Sequence, residues 1–248
     1  MAGTIEAKIR EEIQKHGTIC FALIDSEGIT KEKAADVVKR VEQCKVSGIL
    51  LGGSTAVDQL ELDYITRAVK SVTSLPVILF PGNITGISPN ADAIFFSSLL
   101  NSDEPYFIIQ AQALGALLIK KYSLEAMPMG YIVIGAGGTI GFIGRARGIP
   151  QDKPGIVAMY VLAAQYMGMR FVYLEAGSGV ISHVPPNIIR TARSLFDGIL
   201  IVGGGIRSAS EAKAVAEAGA DIIVVSTLLE KDGFDGTLKE IVKAVRRD

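Results

Sequence analysis

"GILIVGGGIRSASEAKAVAEAGADIIVVSTLLE", Gly198–Glu230, decides the fold. It opens with a short apolar run that stops at Gly203, Gly204 and Gly205. A helix opens at or near Ser208 and runs through small residues to Gly219. A second apolar run, Ile222–Val225, ends in the hydroxyls of Ser226 and Thr227. Strands that are apolar without alternation are covered on both faces, which is the pattern of a parallel sheet. Parallel neighbours need a crossover between them, and the intervening helix supplies one.

The same beat repeats upstream. "TICFALID" (18–25), "GILLGGS" (48–54), "PVILFPGN" (76–83), "DAIFFSSLL" (92–100), "MGYIVIGAGG" (129–138) and "RFVYLEAGS" (170–178) read as six further strands. Helical patterns separate nearly all of them; in one, Ala34, Val37, Val38 and Val41 recur at helical spacing before a glycine stop. The gap between strands three and four holds Gly86, Pro89 and Asn90 and is too short for a crossover helix. Eight such strands in 248 residues fit a single (β/α)8 TIM-type barrel over 1–248, with the helix between strands 3 and 4 missing or replaced by a loop.

Composition narrows the function. Residues are 49% hydrophobic, ample for one large core with apolar surface to spare for a greasy ligand or a subunit interface. No segment stays apolar for the roughly 20 residues of a membrane helix. The start, "MAGTIEAKIREEIQKHG", is charged and amphipathic, unlike a signal peptide. The expectation is a cytoplasmic protein without stable membrane insertion. A net charge of −1 argues against nucleic acid as a partner. Cys20 and Cys44 fit no metal-ligand spacing and read as reduced thiols; two histidines leave little for zinc chemistry.

A barrel of this kind works at the C-terminal ends of its strands. The glycines after strand seven, the helix start behind them, and Ser226 and Thr227 after strand eight form the composition of a phosphate cradle. Tight turns alone are the plain alternative. "GAGGTIG" lacks the last glycine of a dinucleotide fingerprint. Asp25 closes strand one and Ser54 follows strand two; together they offer oxygens to a hard cation such as Mg2+, against a helix cap or a salt bridge. Glu175 is followed by small residues, and a partly desolvated carboxylate there would serve as a general base. Tyr173 points to the same side of the strand. The alternative for Glu175 is a structural pair with Arg170 or Arg207. Arg145 and Arg147, in a glycine-rich loop, suit a diphosphate or are solvated charges. His183 reads as a solvated loop histidine. The apolar helix "YFIIQAQALGALLIKKY" is core or dimer packing first, although Ala111, Ala113, Gly115 and Ala116 could leave a groove for an aliphatic chain.

"ALIDSE", "GGST", "FPGN", "YLEAGSG", "VGGGIRS" and "VSTLLE" follow in this order at successive strand ends. Together they resemble the archaeal geranylgeranylglyceryl phosphate synthases and their bacterial heptaprenylglyceryl phosphate relatives, which also lack the third barrel helix. The resemblance spans nearly the whole chain. It implies a Mg2+-dependent prenyltransferase, a phosphoglycerol geranylgeranyltransferase, that joins sn-glycerol 1-phosphate to geranylgeranyl diphosphate by an ether bond in archaeal membrane lipid synthesis. By position it implies Asp25 and Ser54 as Mg2+ ligands, and Tyr173, Leu174, Glu175, Ala176, Gly177, Ser178, Gly179, Gly204, Gly205, Ser226 and Thr227 as the glycerol-phosphate site. Glu175 and Tyr173 become the catalytic pair, and Arg145 and Arg147 candidate diphosphate contacts. It also implies a homo-oligomer, a dimer or a hexamer. Ser26 stands where the family often has proline. A heptaprenyl substrate is the alternative within the family. A sugar-phosphate isomerase, an aldolase or a non-catalytic lipid- or phosphate-binding barrel are the alternatives outside it. No lysine ends a predicted strand, which counts against the aldolase.

Overall fold

The computed structural model describes residues 3–53, 55 and 58–247. Among them, eight strands close into an all-parallel barrel in sequence order, with the first paired to the last. They are β1 (Ile19–Asp25), β2 (Gly48–Gly52), β3 (Val77–Leu79), β4 (Ala93–Leu99), β5 (Glu125–Val133), β6 (Phe171–Glu175), β7 (Ile199–Gly203) and β8 (Ile222–Val225). The helices are α1 (Thr4–His16), α2 (Lys31–Gln43), α3 (Gln59–Lys70), α4 (Ala111–Tyr122), α5 (Gly138–Ile143), α6 (Pro154–Tyr166), α7 (Pro186–Arg193), α8 (Ala209–Glu217) and α9 (Asp235–Val245).

The alternation of side chains along each strand divides the core into two layers. On β6, Phe171 and Tyr173 pack inside the barrel with Phe21, Phe95 and Met129. Val172 and Leu174 pack outside it against the helices, with Val157, Ile188 and Ile189. Helix α1 lies at the end where strands begin and adds Ile5 and Ile9 to the inner cluster. The Glu125 carboxylate, at the start of β5, accepts the N–H groups of Ile5 (2.7 Å) and Glu6 (2.9 Å) and so satisfies donors that a helix start leaves open. Glu6, fully buried, holds Arg170 at 2.6 Å and Arg10 at 2.9 Å.

Phe80 to Asp92 joins β3 to β4 with no helix, as expected from its length. Asp63 of α3 ties this connection down by accepting from Ser88 and from Asn90 (3.3 Å). Three expectations need adjusting. The glycine-rich loop after β5 contains a short helix, α5. The long apolar helix begins as a π-turn, Tyr106–Gln110, whose Ile108 carbonyl accepts from the Ser98 hydroxyl (2.6 Å). Strand β5 starts four residues before "MGYIVIGAGG", because Glu125–Pro128 pair with Ala93–Phe96 of β4; Pro128 lacks an N–H yet still accepts from the Arg170 N–H.

Candidate active site

Glu175 ends β6 on the inner face, level with Val133 of β5 and Gly203 of β7. The residue is buried, 6% exposed, so its carboxylate keeps little water. Protein donors replace that water. The Tyr131 hydroxyl donates to Oε2 (2.8 Å) and the Gly177 N–H donates to Oε1 (2.6 Å), while the Tyr173 hydroxyl also favours the charged form of the carboxylate. Burial pushes the Glu175 carboxyl above the usual glutamate range, and these three groups pull against it without cancelling it. Burial first, and then the charge of Glu175, hold both phenols well above the usual tyrosine range, so they remain donors. Neither arginine considered for Glu175 reaches it: Arg170 is held by Glu6, and Arg207 donates to the carbonyls of Gly179 (3.2 Å) and Val180. Tyr131 is a site residue that the sequence reading missed. Its one signal is register, because Tyr131 and Tyr173 sit opposite each other on adjacent strands.

Glycines make the room. A side chain at Gly203 would begin 1.8 Å from the Tyr173 hydroxyl. Gly204 and Gly205 take φ of +84° and +72°, which L side chains rarely adopt. A Cβ at Gly204 would fall 2.6 Å from Glu175 Oε1, and one at Gly205 would fall 2.6 Å from the backbone of Ser182 and His183. Above these glycines lies a pocket of about 460 Å³, lined by Tyr173, Glu175, Ser178, Gly179, Gly204, Gly205, Arg207, Ser226 and Thr227. Ser178 and Thr227 bring their hydroxyls to 3.4 Å. Helix α8 opens just behind, capped by Ser208, whose hydroxyl accepts the Glu211 N–H at 3.3 Å. Of the predicted segment 173–179, Leu174 and Ala176 turn to the outer core instead, and Gly177 contributes its N–H to Glu175.

A second, larger cleft of about 1040 Å³, partly open to solvent, runs outward where the missing helix would have lain. Its walls are Ile84 and Ile87 of the β3–β4 connection, Ile94 and Phe96 of β4, and Gly115 and Ile119 of α4. A Cβ at Gly115 would stand 2.9 Å from Ile87 Cδ1, so this glycine sets the width. Ala111 and Gly115 line the cleft, whereas Ala113 and Ala116 face solvent. Phe80 stacks on Tyr173 (5.2 Å between centroids) and meets Tyr131 edge-on (5.5 Å). Both tyrosines are buried, and Phe80 is the partly exposed ring of the three. Leu23, Glu175 and Ser178 line both cavities, so the two meet at the carboxylate.

Asp25 lines neither cavity but lies against Gly53, which lines the cleft; a Cβ at Gly53 would fall 2.3 Å from the Asp25 Oδ1. It is open to solvent rather than buried, and the Glu27 N–H donates to Oδ1 (3.0 Å). Partial burial raises its carboxyl above the usual aspartate range, the Glu27 N–H opposes this, and the charges of Glu27, Glu230 and Glu61 add to it. It pairs with no cationic side chain among the described residues, and the cap of α2 is Thr30 instead. Ser54 lies outside the described residues. The described residues bring no three His, Cys, Asp or Glu side chains together as a metal cage. Arg145 and Arg147 line neither cavity; both are exposed and lean on Glu104 (3.9 Å) and Asp103 (3.8 Å). His183 bonds its Nδ1 to the Val184 carbonyl (2.8 Å), away from Glu175. Cys20 and Cys44 are buried free thiols, the former pushed up to about 12 by burial.

The chain matches known proteins over its whole length. The model of the PcrB family covers residues 11–245. A geranylgeranylglyceryl phosphate synthase of Nitrosopumilus maritimus is 52% identical over 248 residues, spanning 100% of this chain and 99% of the relative. One of Cenarchaeum symbiosum is 54% identical over 243 residues, 98% of each chain. Among solved structures, the (S)-3-O-geranylgeranylglyceryl phosphate synthase of Thermoplasma acidophilum, in complex with its substrate sn-glycerol-1-phosphate, superposes with a TM-score of 0.94 at 39% identity over 99% of each chain. With that coverage and identity, the chain belongs to the PcrB family, among the geranylgeranylglyceryl phosphate synthases.

Proposed function

We propose that this protein is a prenyltransferase that joins sn-glycerol 1-phosphate to geranylgeranyl diphosphate through an ether bond. The observation that carries the reading is the meeting of a small polar pocket and a long apolar cleft at one desolvated carboxylate. Relatives bearing the synthase name, and a neighbour bound to sn-glycerol-1-phosphate, support the same reading.

The glycine-lined pocket would take the phosphate end and so fix which hydroxyl faces the cleft. The cleft would take the prenyl chain. As the C1–oxygen bond to diphosphate breaks, its electron pair leaves on the diphosphate and positive charge develops on the allylic carbons. Phe80, the partly exposed ring at the junction, offers its π-system to that charge. The glycerol hydroxyl attacks C1, and its proton passes to Glu175. Each carboxylate oxygen has two acceptor sites, so the donors already present leave room for the hydroxyl. Its raised pKa makes Glu175 a stronger base than an ordinary glutamate.

An exposed carboxylate with no cationic partner among the described residues offers its oxygens to a hard cation. Asp25 would hold Mg2+, with substrate and water oxygens completing its shell, and Ser54 is a second candidate ligand. When bound, the ion would neutralise charge on the departing diphosphate. An oligomer, dimer or hexamer, is supported by the exposed Leu114, Leu117, Phe142 and Met159. No helix among the described residues is long and apolar enough to cross a membrane, and we place the protein in the cytoplasm.

One assay tests the reading. Purified protein receives Mg2+, sn-glycerol 1-phosphate and labelled prenyl diphosphates of several lengths, including heptaprenyl. Ether product with a maximum at the geranylgeranyl length is expected. No ether at any length refutes the function, and a maximum at heptaprenyl corrects the substrate. Asp25→Asn should raise the Mg2+ needed for half-maximal rate; an unchanged Mg2+ dependence removes Asp25 from that role.

A further inference from the structure

The loop Gly177–His183 borders the polar pocket through Ser178 and Gly179 and is held on two sides by close backbone approach. A Cβ at Gly205 would meet the Ser182 and His183 backbone at 2.6 Å, and one at Gly177 would meet the Gly137 backbone at 2.6 Å. The crest of the loop, Gly179 and Val180, is gripped by a side chain. Arg207 donates from Nη2 to both carbonyls, at 3.2 Å to Gly179 and closer to Val180. Arg207 also lines the pocket beneath. Its own N–H goes to Glu211 Oε2 (2.7 Å), which fixes the root of the side chain.

A guanidinium carries five N–H donors in a rigid fork. Nη2 has two, and the loop takes both. Nε and Nη1 hold the other three, and these have no partner among the described residues. Arg207 can therefore grip the loop and an anion at once, which a lysine ammonium with three donors at one point cannot match.

We infer that Arg207 is a positioning residue that latches the Gly177–His183 loop over the pocket and contacts the bound phosphate, coupling occupancy of the site to closure of the loop. The phosphate half rests on the proposed function, and the latch half stands on the free protein. Loops that close over a substrate commit it and exclude water. Here the loop also contains Gly177, whose N–H holds Glu175, so closure sets the base as well.

Hydrogen exchange at the amides of residues 178–183, with calorimetric titration of sn-glycerol 1-phosphate and inorganic phosphate, tests both halves. In the free protein, Arg207→Gln should speed loop exchange at least tenfold while the melting temperature holds, because the side chain is exposed. Affinity for both anions should fall about 10- to 100-fold, the worth of a charge-assisted hydrogen bond. Arg207→Lys should recover part of the affinity but leave the loop fast. Loop exchange at the wild-type rate in free Arg207→Gln overturns the latch. Affinity within threefold of wild type overturns the phosphate contact. Arg207→Lys restoring full loop protection overturns the bridging role, since charge alone would then suffice. Wild-type protein that binds neither anion overturns the phosphate reading of the pocket, while exchange in the free variants still decides the latch.

Discussion

Three glycines around the pocket share a positive φ and differ in what surrounds them, which allows strain to be separated from contact. Gly179, Gly204 and Gly205 have φ of +75°, +84° and +72°. Alanine at any of them carries about 1–2 kcal/mol of left-handed strain. At Gly179 no protein atom lies within 4 Å of the added methyl, so strain is its whole effect on the free protein. At Gly204 the methyl would fall 2.6 Å from Glu175 Oε1 and 2.7 Å from the Gly177 nitrogen, which are the two ends of the hydrogen bond that holds the base. Losing a hydrogen bond to a charged group costs about 1.5–3 kcal/mol. Gly204→Ala should therefore lose about 10- to 100-fold more kcat than Gly179→Ala. At Gly205 the methyl meets the backbone of Ser182 and His183 instead, so its excess should appear in KM for sn-glycerol 1-phosphate, with kcat closer to that of Gly179→Ala. The assay is steady-state ether formation at saturating prenyl diphosphate, with melting curves to show that each variant is folded. If Gly204→Ala matches Gly179→Ala in kcat, or if the two neighbours lose kcat and KM in the same proportion, the contact argument fails and only strain remains.

Four further outcomes follow from particular contacts. Glu175 must be ionised to accept a proton, so kcat/KM should fall as pH drops through its raised pKa, above the usual glutamate range; Tyr131→Phe removes a donor that lowers that pKa and should move the acid limb of the profile to still higher pH. Gly115→Leu should narrow the cleft against Ile87 and Ile84, cutting kcat/KM for geranylgeranyl diphosphate far more than for a five-carbon diphosphate; equal losses would mean that the chain does not lie there. Phe80→Leu keeps an apolar wall but removes the ring, and should lower kcat about fivefold or more with KM for the prenyl diphosphate little changed, in line with a cation–π contribution of about 1 kcal/mol. Glu6→Ala removes the shared partner of Arg170 and Arg10 at the far end of the barrel; both arginines keep about a third or more of their surface in water, so a loss of about 1–2 kcal/mol in chemical denaturation, with kcat per folded molecule unchanged, is expected.

The barrel was legible because its strands are continuous apolar runs closed by glycines or acids, a pattern that depends on local sequence and on burial from both sides. The empty crossover between β3 and β4 was legible for the same reason, as a count of residues too small for a helix. Glu175 and the glycines of the pocket stood out as polar or small residues at strand ends. Tyr131 did not, because a tyrosine inside an apolar strand looks like core until its register beside Tyr173 is known. The exposure of Asp25 was not legible: the strand that carries it is almost wholly buried, but its last residue is exposed. From their charge and their glycine-rich loop, Arg145 and Arg147 read as diphosphate contacts or solvated charges; they are exposed, near Glu104 and Asp103, and line neither cavity.

The departure from a regular barrel and the chemistry have one physical origin. A helix after β3 would cover Ile94 and Phe96 on the outside of β4, as helices cover the outer residues of β6. Without it, that apolar surface is left to the side chains of a short connection, Ile84 and Ile87, and to the notch at Gly115. The result is a cleft that starts inside the barrel at Phe80 and Tyr131 and leaves between two elements of the outer layer. A closed ring of eight helices would permit a small polar pocket at the strand ends and nothing longer. The omission leaves a cleft with room for a chain of many carbons, and it ends at a carboxylate hydrogen-bonded by the Tyr131 hydroxyl and the Gly177 N–H. Filling the cleft should therefore remove use of a long substrate while leaving the anion pocket intact, and Gly115→Leu should bind sn-glycerol 1-phosphate with wild-type affinity.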